Sequence, residues 1–396
     1  MLNLVKIAAQ MGGMSEQLVQ ESKQSSARIL QAQAALRAAT LEQEVRSHQR
    51  NTWSQGLNFS CAEPVEPLDQ VTQYQPYDLA HSVIATDGSQ IAPSRHEIAY
   101  CYLINIGRVA LHYGCGSYPL LDSVPEVYYL AEDLYGARQW NIQTEEWMGL
   151  KRGVSEAIAL GELGEELRHG HKPKTAPMVA LSDGSLVYWF LENLVPAARA
   201  QILPDLLGAW RQLQAADIPI VGYVSAPRTL EANNFLRFQV CPYPEPDCPN
   251  YCGSLTLDQA PCSRFMPVRD ASLWQTILQP GEASPLWRSH ARILQEYEEQ
   301  QIYFCYLHVG SEVARVEMPA WTALDAEKRS QVIGIILAQV QKGYGYPVAL
   351  AEAHNQAVVT SSDRRRFFGL LEQQMLQSGL SVATTAKEAR KRSSIA

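Results

Sequence analysis

The 396-residue sequence has no long apolar run. A membrane-spanning helix needs roughly 20 consecutive apolar residues, and no segment of this chain approaches that length. Residues 1–9 form only a short apolar patch that Lys6 interrupts, without the apolar core or the cleavage site of a signal peptide. We therefore expect a cytoplasmic protein that has no membrane partner.

The sequence also has no excess of positive charge, because 33 Lys and Arg residues face 41 Asp and Glu residues, for a net charge of −8. This balance excludes adhesion to nucleic acid over the whole surface, but it leaves room for a local basic groove. Apolar residues make up 46% and charged residues 19%, which is ordinary for a globular chain. The length allows one large domain or two.

What the sequence does contain is the tripeptide Asp-Gly-Ser, twice, each time after a short apolar run. Residues 81–86 lead to Asp87, and residues 178–182 lead to Asp183. If each run is a strand that ends at Asp, both carboxylates lie at the edge of a sheet, and the glycine lets a ligand approach. Two such carboxylates suit a divalent-cation site for phosphate chemistry. For either copy alone, a tight Asp-Gly hairpin turn is the stronger interpretation.

A predicted helix over residues 144–167 carries a further carboxylate, Glu156. It falls on one continuous face with three leucines, Leu160, Leu163 and Leu167. A carboxylate that faces a core must be paired, hydrogen-bonded, neutralised or bound to a metal. An ion pair with Arg152, four residues earlier, fits the pattern as well as a metal does.

The fourth candidate is His354, which follows an apolar segment at residues 346–353. A lone histidine beside apolar residues is more often a hydrogen-bonded core residue than a ligand. In an extended segment Glu352 and His354 would share one side, whereas in a helix they would point apart.

The remaining patterns predict a mixed α/β sheet with helices on its faces. Residues 14–50 predict a helical arm, which is exposed, packed on a partner, or laid on the main domain. A turn at Gly107-Arg108 is expected to separate two strands, and Ser362 or Asp363 to cap a C-terminal helix. The other predicted strands are 218–224, 302–307 and 313–318, and the other predicted helices are 197–215, 326–342 and 364–377.

Four of the eight cysteines lie in a Pro-rich insertion at residues 241–267, with the spacing C-x6-C-x3-C-x9-C: Cys241, Cys248, Cys252 and Cys262. Only Cys248 and Cys252 have the spacing of a zinc knuckle. A structural zinc with four thiolate ligands fits these residues, an iron–sulfur cluster fits them less well, and free thiols are the alternative.

In order and spacing, these pieces resemble the NurA nuclease family, in a branch typical of bacteria. The resemblance spans about residues 80–380 and rests on Asp87-Gly88-Ser89, Arg152-x-x-x-Glu156, Asp183-Gly184-Ser185-Leu186, Gly222-Tyr223-Val224 with Pro227, Arg315-Val316-Glu317-Met318-Pro319, and Gly345-Tyr346-Pro347 leading to Ala353-His354. It implies an RNase H-like mixed sheet flanked by helices, beside an N-terminal helical arm and a Cys-rich insertion. We accordingly expect an arm and linker at 1–75, a nuclease domain at 76–382 that includes the insertion, and a polar basic tail at 383–396.

The resemblance also implies a metal-dependent DNA nuclease, of the single-strand endonuclease and 5′–3′ exonuclease type. Such an enzyme processes DNA ends during double-strand break repair with a HerA-type hexameric ATPase, usually as a homodimer. The expected cofactor is Mn²⁺ or Mg²⁺, as two ions, besides the zinc considered above. The alternatives are an inactive DNA-end or translocase-binding module of the same fold, and a coiled-coil scaffold, for which the apolar stripe of the arm is too narrow and short.

Carried over position by position, four residues match the metal-binding and catalytic set of the family: Asp87, Glu156, Asp183 and His354. Glu162 remains a competitor for the place of Glu156.

Two basic clusters flank these positions and are candidates for contact with DNA phosphates: Lys172 and Lys174 before Asp183, and Arg364 and Arg365 after His354. A solvated basic surface explains each cluster equally well.

Overall fold

The computed structural model describes residues 2–94, 97–170, 176–256 and 259–380. The predictions for Lys172, Lys174 and the tail at 383–396 fall outside these described residues. The chain divides into two compact units, unit 1 with residues 1–75 and 223–330, and unit 2 with residues 76–222 and 331–396. The division into an arm, a nuclease domain and a tail stays a prediction.

Both units are rich in helix. The α-helices are α1 Leu4–Leu41, α2 Gln43–Trp53, α3 Ala131–Tyr135, α4 Thr144–Gly170, α5 Pro196–Ala215, α6 Glu231–Val240, α7 Cys248–Cys252, α8 Asp270–Trp274, α9 Ala320–Ala323, α10 Ala326–Lys342, α11 Val348–Ala357 and α12 Ser361–Gln377. Short 3₁₀ turns lie at Ser54–Gly56, Gly136–Trp140, Trp189–Asn193, Pro261–Ser263 and Arg292–Glu296. Over the described ranges, none of the helices combines the length and the apolar character that a bilayer crossing requires.

The strands are β1 Glu63–Pro64, β2 Thr72–Gln73, β3 His81–Ile91, β4 Tyr102–Tyr113, β5 Leu120–Tyr128, β6 Met178–Asp183, β7 Ile220–Val224, β8 Glu282–Ala283, β9 Trp287–Arg288, β10 Ile302–His308 and β11 Val313–Pro319. In unit 1, β10 pairs antiparallel with β11, β8 and β9.

Unit 2 is built on a mixed sheet. Its first three strands, β3, β4 and β5, form an antiparallel meander, and β6 then returns parallel to β3. β7, whose residues 220–222 belong to this unit, lies beside β6. The order β7-β6-β3-β4-β5 is that of an RNase H-like sheet, and helices α4 and α11 pack against it. The predicted mixed sheet flanked by helices is therefore confirmed.

The first Asp-Gly-Ser lies inside a strand, and the expected strand end at Asp87 is wrong. β3 continues to Ile91, because β4 pairs with it along the whole length, from His81↔Tyr113 to Ile91↔Leu103. The second copy does follow the prediction, since Asp183 is the last residue of β6. Neither copy is a two-residue hairpin turn.

The turn predicted at Gly107-Arg108 is also wrong, since β4 runs without interruption from Tyr102 to Tyr113. A Cβ atom at Gly107 would lie 2.4 Å from the Ala353 carbonyl oxygen and 2.5 Å from the Ala357 nitrogen. The glycine therefore allows α11 to lie directly against the sheet. Since Gly107 pairs with Asp87, this contact places α11 beside that aspartate.

The N-terminal arm is helical, as predicted, and the structure distinguishes between its alternatives. Residues 10–27 of α1 are exposed. The second half of α1 instead packs into the core of unit 1 through Ala32, Leu36 and Ala39, together with α6 and α8.

The cap of α12 lies two or three residues before the predicted position. Thr360 is the N-cap, because its side chain accepts from the Asp363 backbone N–H while the Asp363 carboxylate accepts from the Thr360 backbone N–H. The sequence signal was correct in type, since this reciprocal pair is a capping box.

We expect the substitution Gly107→Ala to destabilise the protein by about 1–3 kcal/mol, because the added methyl group overpacks the contact between α11 and β4. The control is Gly149→Ala in α4, where a Cβ atom meets nothing within 4 Å. There, alanine should stabilise the helix by about 0.5–1 kcal/mol. Urea unfolding followed by circular dichroism measures both effects. Equal stability of Gly107→Ala and wild type would contradict the packing argument.

Candidate active site

Two aspartates stand side by side where the pairing of β3 with β6 stops. The last paired residues of these parallel strands are Thr86 and Ser182, and the next residues along the chain are Asp87 and Asp183. The Thr86 hydroxyl donates a 2.8 Å hydrogen bond to the backbone carbonyl of Glu156, which fastens α4 to the sheet at the same level. Asp87 and Asp183 both raise the pKa of Glu156 through their charge, so the three carboxylates are near neighbours.

Gly88 leaves room for the side chain of Glu156. A Cβ atom at Gly88 would lie 2.5 Å from Glu156 Oε1 and 2.8 Å from Arg152 Cγ, and contacts this short force a side chain to move. The glycine of the first Asp-Gly-Ser therefore serves the approach of a side chain from α4, within a continuous strand. The Gly88 backbone N–H also donates to Asp87 Oδ1 at 2.8 Å, which orients that carboxylate.

His354 reaches the site from α11. Its Nδ1 lies 2.7 Å from Asp87 Oδ2, and its ring is 67% exposed. The C-terminal end of α11 is held by the Ser89 hydroxyl and the Asn105 amide, which donate to the Ala357 carbonyl at 2.5 and 2.8 Å. Since the segment is helical, Glu352 and His354 do not share a side, and the extended alternative is wrong.

Tyr346 is a residue of this site to which the sequence reasoning gave no role. Its side chain forms a hydrogen bond with Asp183. The segment before it turns sharply, with positive φ at Tyr344 and Gly345. The available signal was the Gly345-Tyr346-Pro347 motif, in which a tyrosine sits between two turn residues. That motif indicated a turn but did not indicate which residue the tyrosine meets.

The electrostatics of the site are unfavourable for three ionised carboxylates. Burial raises the pKa of Glu156 to about 8, Arg152 and a hydrogen bond from the Gly88 backbone oppose this rise, and Asp87 and Asp183 add to it. Burial also raises the pKa of Asp183, while Tyr346 and His354 lower it. Glu156 Oε1 is buried and accepts no hydrogen bond, although Arg152 Nε lies 3.4 Å away. The ion pair that the sequence allowed is therefore present, and it leaves most of the negative charge without compensation.

Glu162, the competitor of Glu156, points elsewhere. It lines a cavity of about 720 Å³ with residues of β4, β5, α3, α4, α5 and the 3₁₀ turn at Gly136–Trp140, among them Arg108, Trp140 and Lys151. Geometry therefore selects Glu156 as the glutamate beside Asp87.

No ready-made metal centre is present in the parts of the chain that the structure describes. In those ranges, no three or more His, Cys, Asp or Glu side chains are arranged to hold an ion. This holds for the carboxylates around Asp87 and for the four clustered cysteines. Side chains would therefore have to move to share an ion at either place.

Comparison with known proteins identifies the family. The family model described as NurA domain matches residues 81–359, which is more than half of the chain. The chain belongs to the NurA family. This confirms the resemblance seen in the sequence and supports the assignment as a DNA nuclease. Among functionally curated proteins, none matches the chain.

The solved structures that match this chain at low identity include NurA nucleases. The NurA nuclease from Sulfolobus solfataricus is 12% identical, with 96% of this chain and 98% of that chain covered and a TM-score of 0.48. A NurA structure with manganese is 12% identical, with coverage of 74% and 89% and a TM-score of 0.34. The catalytic domain of human Endonuclease V is 11% identical, with coverage of 76% and 92% and a TM-score of 0.31. With TM-scores below 0.5, these likenesses do not bear on the function of this chain.

In this NurA family member, the two arginines predicted to contact DNA differ in their surroundings. Arg364 pairs with Glu97 at 3.1 Å and lies over the Phe368 ring, whereas Arg365 is exposed on α12. Contact with DNA stays a prediction for both.

We expect the stability of the metal-free protein to fall as the pH rises from about 5 to about 8. Because the pKa of Glu156 is raised from 4.5 to about 8, the folded protein keeps a proton that the unfolded chain has released, so rising pH favours unfolding. The glutamine in Glu156→Gln does not titrate. The free energy of unfolding of this variant, relative to that of wild type, should therefore rise by about 1–3 kcal/mol between the two pH values.

Urea unfolding in the presence of EDTA at several pH values measures this difference, with Glu162→Gln as the control on a different face of α4. Parallel stability curves for wild type and Glu156→Gln would contradict the assignment.

Proposed function

We propose that this NurA family member is a metal-dependent deoxyribonuclease that hydrolyses phosphodiester bonds of DNA. Its proposed active-site residues are Asp87, Glu156, Asp183 and His354. One observation carries the proposal. Glu156 Oε1 is buried without a hydrogen-bond donor, beside two aspartates that repel its charge. Such a group is either protonated or matched by a cation, and a single arginine supplies too little positive charge for three carboxylates.

The donor set fits a hard divalent cation. Carboxylate oxygens of Asp87, Glu156 and Asp183 are ligands that Mg²⁺ and Mn²⁺ prefer, and an imidazole such as that of His354 adds a nitrogen donor. When bound, two such ions would activate a water molecule and stabilise the leaving oxygen of the phosphodiester.

The residues of the chain would divide the remaining tasks. His354 is held by Asp87 through Nδ1, which leaves Nε2 of its exposed side chain either to bind the ion or to transfer a proton. Tyr346 orients Asp183 through its hydrogen bond. Arg152 donates to the Gly88 carbonyl at 3.2 Å, and its side chain is 40% exposed, so it can also pair with a phosphate oxygen of the substrate.

The finer features follow from the family resemblance alone. We propose single-strand endonuclease and 5′–3′ exonuclease activity, used in DNA end processing during double-strand break repair. We also propose a HerA-type hexameric ATPase as the partner, a homodimer as the assembly, and the cytoplasm as the location. Lys172, Lys174, Arg364 and Arg365 are proposed to bind the DNA backbone for a different reason, which is that they flank the proposed catalytic residues in the sequence.

The test is cleavage of labelled single- and double-stranded DNA with Mn²⁺, Mg²⁺ or EDTA. We expect cleavage with a divalent ion, and a loss of about 100-fold or more in Asp87→Asn and in His354→Ala, the scale of a lost proton-transfer group or its support. Glu162→Gln is the matched control and should cleave at the wild-type rate, and thermal melting verifies that each variant is folded.

Equal residual cleavage by wild type and Asp87→Asn, with and without the cognate ATPase, would indicate a contaminant. That result would favour the inactive DNA-end or translocase-binding module.

We expect Tyr346→Phe to need about 10- to 100-fold more Mn²⁺ for half-maximal cleavage, because the lost hydroxyl no longer orients Asp183. Tyr344→Phe is a close control, since Tyr344 stands in the same turn and is 99% exposed. A titration of the cleavage rate with Mn²⁺ separates the two variants. Identical Mn²⁺ dependence of both would show that Tyr346 does not act through Asp183.

A further inference from the structure

The four cysteines of the insertion gather at one place in unit 1. Cys241 follows the last residue of α6, Cys248 and Cys252 are the first and last residues of α7, and Cys262 lies in a 3₁₀ turn. Cys248 and Cys262 are buried, whereas Cys241 and Cys252 are partly exposed, and all four are free thiols. The insertion thus brings cysteines from three separate local elements into one region of unit 1.

The four thiols lie near one another. Cys241 is close enough to Cys248, Cys252 and Cys262 for their charges to interact. Cys252 is likewise near Cys248, Cys262 and Arg237. The four sulfur atoms and the guanidinium therefore share one local region of unit 1.

Arg237 points into this cluster from α6. Its Nε and Nη2 donate to Cys262 Sγ at 3.4 and 3.2 Å, and its Cζ atom lies 3.5 Å from the centre of the Phe59 ring. A neutral amide, Asn234, accepts from Nη1 at 3.4 Å. Arg237 is 4% exposed. Among the described ion pairs of the chain, none includes it.

A buried guanidinium without an anion is costly. A neutral thiol is a weak acceptor and does not relieve that cost, whereas a thiolate accepts a charge-assisted hydrogen bond. Apolar packing of cysteine explains why Cys248 and Cys262 are buried. It does not explain why two N–H groups of a buried cation are directed at a sulfur atom, or why Cys241 and Cys252 stand partly exposed beside them.

We propose that Cys241, Cys248, Cys252 and Cys262 bind one structural Zn²⁺ ion as thiolates, with Arg237 donating to the Cys262 sulfur. On binding, each thiol releases its proton to solvent and forms a bond to zinc. The four thiolates and the ion carry a net charge of −2, and Arg237 matches half of it. Three residues separate Cys248 from Cys252. This spacing lies within the range of zinc knuckles and differs from the two-residue spacing in bacterial iron–sulfur sequences.

Metal analysis tests the proposal independently of the nuclease activity. Full-length protein purified from a zinc-supplemented host should contain about one zinc ion per chain. Cys248→Ser and Cys262→Ser should lose it, while Cys115→Ser, a partly exposed cysteine outside the insertion, should keep it. Wild-type protein without zinc would overturn the proposal. So would iron with acid-labile sulfide in place of zinc.

Two further measurements keep the test decisive if the cysteine variants fail to fold. Wild-type protein loaded with Co²⁺ should show the intense sulfur-to-cobalt charge-transfer absorption of thiolate ligands, and its absence would overturn the proposal. Arg237→Gln keeps all four thiols but should bind zinc about 10- to 100-fold more weakly, as expected for a partner of a ligand. Competition with a chromophoric chelator measures this change. Unchanged affinity would remove Arg237 from the site.

Discussion

The site depends on the place at which β3 and β6 cease to pair. Their last paired residues are Thr86 and Ser182, so the aspartates that follow stand on adjacent strands at the same level. β3 stays ordered beyond this point because β4 continues to pair with it as far as Ile91. The strand segments that lead to the site are buried at Val83, Ile84 and Ala85 and at Val179, Ala180 and Leu181. The burial of these strands holds together carboxylates that would otherwise separate.

Two glycines next to Asp87 in the sheet leave room for the helices that pack against it. Gly88 has no side chain where Glu156 and Arg152 of α4 approach, and Gly107 has none where Ala353 and Ala357 of α11 approach. As a result both helices come close to Asp87, one bringing a carboxylate and the other an imidazole. A side chain at either glycine would hold one helix away from the strand. The two glycines therefore determine how many functional groups can meet at one aspartate.

The sequence predicted the members of this cluster better than it predicted the strands that carry them. The helical period placed Glu156 on the face with the leucines, because a long amphipathic helix repeats its face several times, but it left Glu162 as a competitor until the structure placed Glu156 beside Asp87. The predicted ends of β3 and β4 were wrong for the same physical reason. Glycine usually ends a strand pattern, whereas Gly88 and Gly107 serve close packing inside strands.

The contact between His354 and Asp87 joins residues far apart in the chain, and no local pattern encodes such a contact. Tyr346 escaped notice for the same reason, since its partner Asp183 lies on a distant strand. The spacing of the four cysteines could be recognised in the sequence. The role of Arg237 could not, because it depends on the burial of the side chain.

The carboxylates and the thiols pose the same electrostatic problem, and their arginines indicate different solutions. In each cluster several acidic groups lie near one guanidinium, and the negative charge that they would carry when ionised exceeds the positive charge of that guanidinium. Arg152 is 40% exposed, and the side chain of His354, which contacts Asp87, is also open to solvent. An ion at that place would be accessible to water and to substrate, as catalysis requires. Arg237 is buried and lies over the Phe59 ring, and its N–H groups are directed inward. Since structural metal sites are closed and catalytic ones keep an open position, the exposure of each arginine fits catalysis at the carboxylates and structural stabilisation at the thiols.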